Sequence, residues 1–447
     1  MHERTQRAMA RLMFVLCCAL PTAMTVSVIL FTKTPWYYQR CLAEIEAELS
    51  DETGLIVRID DFRRSTPSSL CLSGVSLLDP ETEAEIARVH QIDWARKHDE
   101  IVFVLRQPEL QSAELRHVYR LIHDRFLCRP DQTRVPVRVL ANDLTIHSRT
   151  GPLTLLDIDA NVTPQARRTV VNVVGVLAER HVTAPIKLHF TRDRREEVPT
   201  TTWILDAPGT ALPCSALAEC FPIMHSLGAD ATFAGVITYS EQPDGGASLD
   251  LSGSRFSQVE LSRLFETLPH KLTGTADLEL VRCLVGPDGT LIDFSGQFYA
   301  RSGLLGGSLL SSLSQNLNLM VPAQWVGSTM RELNYDRIAV SINIRGEELE
   351  LTGICNNERS GEYLPKGTML SAGGEPLVLT SEEPMPVIQL VNAFSPSHSV
   401  LVPLSEQTSV LARFFKAPSR VRDYDQDSTP HIISAAPPTG GPQIKQR

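Results

Sequence analysis

The sequence predicts a mainly β protein, an antiparallel sheet of short strands with a few short helices, carried on one N-terminal transmembrane helix. Three observations predict it. From Leu12 to Phe31 the chain reads LMFVLCCALPTAMTVSVILF without a charged residue, about the 20 residues an α-helix needs to cross a bilayer core. From about residue 134 onward, apolar and polar residues alternate with a period of two, the mark of half-buried strands. Gly, Pro, Asn and Asp punctuate these runs at short intervals, as turns require.

The anchor comes first. Arg4, Arg7 and Arg11 precede the apolar run with Glu3 as the single acid among them, and Lys33 and Arg40 follow it. The positive-inside rule therefore leans towards a cytoplasmic N-terminus at residues 1–11, a single span at 12–32 and a body across the membrane, in a periplasm or an equivalent space. A cleaved signal peptide is the alternative, but its apolar core is only about 7–15 residues and ends at a small-x-small site. The run here is longer, and Leu16 is too large for a lipoprotein cleavage site before Cys17. Pro21 is tolerable within a membrane helix.

After the span, residues 36–50 (WYYQRCLAEIEAELS) place Tyr38, Cys41, Leu42, Ile45 and Leu49 at helical spacing. Trp36, Tyr37 and Tyr38 sit where an aromatic belt meets headgroups, and Gly54 ends the helix. Strands are expected at Ile56–Phe62, at Leu70–Leu78 before the turn Asp79-Pro80, and at Ile101–Leu105. Residues 111–127 return to helix, with Leu115, Val118, Leu121 and Ile122 on one face. This span-adjacent α+β unit covers residues 36–130.

The β region proper, 131–417, begins with Val135, Val137 and Val139 alternating with Arg134, Pro136 and Arg138. Asn142-Asp143 reads as a turn before Leu144 and Ile146. The pattern repeats at Thr169–Leu177, Ile186–Phe190, Thr232–Tyr239 and Ser248–Gly253. The clearest hairpin sets Ala276, Leu278 and Leu280 on one face, turns at Gly286-Pro287-Asp288-Gly289, and returns with Ile292, Phe294, Phe298 and Ala300 on the same face. Ile338, Val340, Ile342 and Ile344 continue that face, and Leu349 and Leu351 follow the Gly346 turn. Between these hairpins the Leu/Ser/Gly-rich stretch near 303–320 fits an amphipathic helix. From Pro418 the composition turns to Pro, Gly, Ser and charge, read as a disordered tail over 418–447. Curling into a barrel, packing on a second sheet or holding an apolar ligand would each cover such a face.

Composition excludes several classes. With 447 residues and a net charge of −10, the chain lacks the clustered Lys and Arg of a nucleic-acid binder. Arg192-Asp193-Arg194-Arg195 is followed at once by Glu196 and Glu197 and reads as a solvated loop. Nine cysteines include no CxxC pair, which leaves zinc and thioredoxin-like motifs without support. Cys214 and Cys220 are either a local disulfide or two small buried residues. No dinucleotide, P-loop or HExxH motif is present, and Gly306-Gly307-Ser308-Leu309-Leu310 lacks the last glycine of a nucleophile elbow. His117 and His123, six apart, do not share a helical face as a metal pair would. Paired acids such as Asp60-Asp61 and Asp157/Asp159 read as solvent-face residues of strands. We expect no catalytic residues, cofactor or metal.

The anchor, the unit LAEIEAELSDETG–LIVRIDDF–SLCLSGVSLLDPE–QPELQSAEL and the segment LTGTADLELVRCLVGPDGTLIDFSGQFYARSGLLGGSLL together resemble the AsmA-like family of bacterial envelope proteins, over residues 12 to 320. The resemblance implies a curled antiparallel sheet with an apolar groove that carries lipid acyl chains between envelope membranes. On that reading the groove is lined by Ala276, Leu278, Leu280, Ile292, Phe294, Phe298, Ile338, Val340, Ile342 and Ile344. The partners are then the inner membrane, a phospholipid or other acyl lipid, and envelope proteins. The alternatives are a non-catalytic envelope scaffold, whose β faces bury each other, and a degenerate enzyme or receptor domain.

Overall fold

The computed structural model describes residues 9, 11–66, 69–97, 100–129, 135–178, 184–241, 246–322, 332–356, 364–381 and 383–394. The expected tail at 418–447 and most of the segment before the span lie outside these residues. Helix α1, Arg11–Thr32, is long and apolar enough to cross a membrane and buries none of its surface in the rest of the chain. A π-helical turn over Val15–Ala19 leads to Pro21. There the Thr22 hydroxyl donates to Cys18 O and the Thr25 hydroxyl to Pro21 O, bonds a helix needs most where no water can reach its backbone.

Helix α2, Pro35–Thr53, starts three residues after the span. Pro35 occupies its first turn, the Thr34 hydroxyl accepts from Tyr37 N–H, and Gly54 closes it at φ 72°, the left-handed conformation that only glycine adopts freely. The chain then reverses as β1 (Ile56–Thr66) and lies back along α2. Tyr38 stacks on Phe62 at 5.0 Å, Glu46 accepts from Ile59 N–H, and the Ser50 hydroxyl accepts from Val57 N–H. Strands β2 (Ser69–Leu78), β3 (Glu85–Lys97) and β4 (Glu100–Gln111) extend an antiparallel meander.

A crossover interrupts it. A 3-10 turn at Ser112–Glu114 leads into helix α3 (Leu115–Leu121), which widens into a π-helix over Ile122–Leu127. The next strand, β5 (Val137–Ser148), therefore pairs parallel to β4. This one parallel pairing makes the expected antiparallel sheet a mixed one, because a helical connection of this length can return the chain to the same end of the sheet. From β5 on, every pairing among the described residues is antiparallel, through β6 (Gly151–Gln165), β7 (Arg168–Leu177), β8 (Ile186–Asp193), β9 (Thr200–Pro213) and β10 (Thr232–Glu241). Strands β11 (Ala247–Asp250) and β12 (Ser254–Glu260) share the next position, followed by β13 (Thr275–Val285), β14 (Leu291–Gly306) and β15 (Glu332–Arg345). β15 then carries both β16 (Glu348–Gly353) and β17 (Thr368–Ala372). β18 (Glu375–Leu379) pairs with β17, and the two-residue β19 (Met385–Pro386) with β16. One mixed sheet thus crosses the expected boundary at residue 130.

The sheet curls. Tyr119 of α3, between β4 and β5, reaches Glu241 at the end of β10, and Thr150 in the β5–β6 turn meets Ser215 just after β9. Helices α4 (Gly307–Asn316) and α5 (Ile388–Phe394) fill the inner side of the C-terminal half, where Leu309, Leu310, Leu313 and Leu390 join a large core shared by β5 to β19. The expected helix near 303–320 is thus shorter, because residues 303–306 continue β14, each paired with β15.

Two features of the strands depart from simple alternation. A bulge at the β13–β14 turn, where Leu284 pairs with Asp293 but Val285 with Leu291, makes Ile292 the extra residue. Leu291 takes the inner position at 3% exposure and Ile292 faces out at 44%, so Ile292 does not belong to the expected face. The second feature is a crease. Asp60, Gly74, His90, Gln107, Asn142 and Asp157 are all skipped in the ladders joining β1 to β6. Gly74, Gln107 and Asp157, on alternate strands, have φ between 48° and 64°. At the crease the interval between successive inner-face residues widens from two to three, as in Ile59 to Phe62, Leu72 to Val75 and Val89 to Ile92, all of one cluster. Asn142-Asp143 is accordingly no turn. β5 runs straight through it, and the phase slip of the alternation imitates a chain reversal. On the crease lies a polar cleft of about 480 Å³ with Asp60, Arg88, His90 and Glu109 in its lining.

His270 is 6% exposed in the C-terminal core, its Nδ1 3.3 Å from the Ser308 hydroxyl of α4. Burial holds its pKa below the ordinary value. The unfolded chain then binds a proton at higher pH than the folded one. His270 should stabilise the fold fully above about pH 6.5 and do so progressively less as pH falls towards its folded pKa. Thermal midpoints measured from pH 7 downward should drop less steeply for His270→Gln than for the wild type. Parallel curves would refute this.

Candidate functional site

Apolar strand faces are the only functional signal of the sequence, so the site question is which part of the inner face stays uncovered. The expected C-terminal lining is largely closed. Ala276, Leu280, Ile338, Val340 and Ile344 are buried, and Leu278, Phe294, Phe298 and Ile342 pack half-buried against the same core. The strand register does bring these nine together, since Ala276 lies opposite Ala300, Leu278 opposite Phe298, and Phe298 opposite Val340. Ile292 is left on the outside.

The N-terminal half is different. Its two inner clusters hold five buried residues each, one under α2 and one under α3. One transverse row crosses both. Leu70 pairs with Trp94, Trp94 with Phe103, Phe103 with Val139, Val139 with Ala160, Ala160 with Val173, and Val173 with Leu188. All seven are half-buried. At neighbouring-strand spacing the row from β2 to β8 measures about 29 Å. It then continues into Leu205 and Ile237, which are 7% and 0% exposed, where the C-terminal core closes. Its other end lies beside the span. Leu70 pairs with Arg64 of β1, Phe62 two residues earlier stacks on Tyr38 of α2, and the neighbouring Tyr37 ring sits 5.4 Å from Phe31 in the last turn of α1. Sequence reading missed this row because its members come from seven strands. Only the register aligns them.

A polar knot beside the track was also missed. His123, Asp124 and Cys128 bring one donor atom each to within 4.8 Å of one another. On an α-helix, residues five apart diverge. The π-helix puts them in register, and Cys128 N–H donates to His123 O. Asp124 lies 2.8 Å from His123 Nδ1, and Arg192 Nη1 lies 3.3 Å from Nε2 while also donating to the Thr201 hydroxyl. Tyr119 Oη donates to Glu241, and Arg194 donates to Leu127 O and the Thr169 hydroxyl. Burial, reinforced by the Glu241 charge, pushes the Tyr119 phenol far up, and burial also raises the Cys128 thiol. Both ring nitrogens are engaged, one of them by a guanidinium that a metal cation would have to face. The knot therefore acts as a clasp holding α3 on β8 and β9. His117 sits elsewhere, bonded to Glu114. The Cys214 and Cys220 thiols are free, the first buried and pushed up to about 12 by burial, the second at the surface.

No family model, curated protein or solved structure matches this chain.

Proposed function

We propose that this is a membrane-anchored, non-catalytic protein that receives a lipid acyl chain from the bilayer on the inner face of its sheet. The body would stand on the periplasmic side in a bacterial envelope, in keeping with the resemblance to AsmA-like proteins. The observation that carries the reading is the half-covered row from Leu70 to Leu188, which starts on the strand beside β1, where β1 packs on the first turn of α2 next to α1. Half-covered apolar surface in a continuous strip is costly in water and marks a binding surface. The occupied part would be β2 to β8 rather than the closed β13 to β16 face. Val173 is the point that tests it, about 24 Å across the sheet from Leu70 and on the inner face, whereas a residue reached only by bulk lipid would be labelled on either face. In the full-length chain in membranes, a photo-crosslinking residue at Val173 should yield an acyl-lipid adduct by mass spectrometry. One at the exposed Asn172 should not. Adducts at both positions or at neither would sink the proposal.

The scaffold reading draws on a different observation. The C-terminal face, with Ala276, Leu280 and Ile344 buried in one core under α4 and α5, favours it, since a covered face needs no ligand.

A further inference from the structure

The exposed charges of the first four strands are unevenly spread, although Arg58 and Arg88, on either side of Ser76 in the ladders, lie towards the far end. Near the exit of α1 lie Lys33, Arg40, Arg63, Arg64 and Arg96, all exposed. They come from three separate stretches of chain, and the register gathers them: Arg64 lies opposite Leu70, Leu70 opposite Trp94, and Arg96 follows two residues later at the β3–β4 tip. The stacking of Tyr38 on Phe62 and the bond from the Tyr38 hydroxyl to Asp61 hold this end against the first turn of α2. The other end carries the exposed acids Asp51, Glu52, Glu81, Glu83 and Glu85. Because α2 has 19 residues, the two ends stand about 28 Å apart. Acids at this end are mostly paired with the cations, with Asp61 on Arg63 at 3.3 Å and Glu44 on Arg40 at 3.0 Å, while Glu100 opens β4 opposite Lys97.

We infer that the β1–β2 and β3–β4 tips are docked on a bilayer surface through Arg63, Arg64 and Arg96, whose partners are anionic lipid headgroups. The aromatic belt supports the placement. Phe31, Trp36 and Tyr37 pack together at the end of the span, with ring centroids 6.1 and 5.4 Å from Phe31, and the Arg40 guanidinium lies 5.7 Å over Trp36. Aromatic rings of this kind sit at headgroup level, so the cations grouped around them share that level. Basic residues beside a span are attracted to anionic lipid within a Debye length of the surface. Docking would hold the sheet upright with its acidic end away from the membrane. It would also fix the Leu70 end of the apolar row at the bilayer. The inference rests on α1 being a span, and does not depend on whether a lipid occupies the row.

The test uses the full-length chain in lipid nanodiscs of phosphatidylcholine, with or without phosphatidylglycerol. Hydrogen exchange would be followed at the amides of residues 62–66, 69–72 and 94–97. Phosphatidylglycerol should slow exchange at these amides, on the order of tenfold, and high salt should reverse the effect. R63E/R64E should abolish the lipid dependence. R96E, on the other hairpin and away from α2, should weaken it. Equal exchange in the two kinds of disc, with the chain incorporated in both, overturns the docking alone. A chain that does not enter discs overturns the span, and the docking with it.

Discussion

Phe233→Ala is expected to cost about 3–5 kcal/mol of folding stability, the range for removing a large aromatic ring from a core that cannot collapse around the void. Phe233 has no exposed surface and its ring packs at 5.4 Å and 55° on Phe256. Its place in the sheet prevents relaxation. β10 pairs with β9 on one side and with both β11 and β12 on the other, and Phe233 itself lies between Leu212 and Phe256 in these ladders. A shift of β10 towards the void would have to drag both neighbours. Urea unfolding followed by far-UV circular dichroism measures the loss as a lower midpoint at unchanged slope. A change under 1 kcal/mol would mean that the seam repacks, and that the C-terminal core is looser than its burial implies.

The second large effect comes from adding one carbon. A Cβ at Gly353 would lie 2.3 Å from Gly367 O and 2.4 Å from Met369 N, backbone atoms that cannot swing aside. The Gly353 N–H also donates to the buried Thr380 hydroxyl at 2.9 Å, and Cys355 N–H to Thr368 O. The end of β16 and the start of β17 are therefore packed backbone on backbone. Gly353→Ala should separate them and cost about 3 kcal/mol or more, at the upper end of overpacking penalties. Gly346→Ala is the control. Its φ is 62° but nothing lies within 4 Å of its Cβ position, so it should cost only the 1–2 kcal/mol of a left-handed residue. Limited proteolysis between 354 and 381 should cut the Gly353 variant first. Equal stability of the two variants would contradict the close approach.

Much of the architecture can be read from the chain. The apolar helix α1, the Pro35–Gly54 helix, the β13–β14 hairpin and the Gly346 turn each follow from local chemistry within about 20 residues. What could not be read depends on relations between distant segments. The parallel β4–β5 pairing is decided by where α3 lands, and Val102 and Val137 look alike whichever way their strands run. β9 hides because its apolar positions, Trp203, Leu205 and Ala207, are followed by Pro208 and Gly209, which resemble a loop. The closing of the β13–β16 face is due to α4 and α5, and α5 lies far along a stretch with little periodicity. The seven-strand apolar row is the extreme case, with one residue contributed by each strand.

The crease has a consequence for how the chain finds its fold. A strand of plain alternation can slide by two residues past its neighbour and still keep its apolar side inward. Strands β1 to β6 cannot do so without penalty, because each carries one polar or glycine residue at which its phase changes. A slipped strand would carry this mark out of line with its neighbours and turn apolar side chains outward beyond it. Each strand thus bears its own index notch, and the meander has one alignment in which all six notches coincide. Gly74 adds a steric component, since the Asp60 carboxylate occupies the space its side chain would fill. Correct register in this half is thereby specified strand by strand, by marks local to each strand and independent of the C-terminal core.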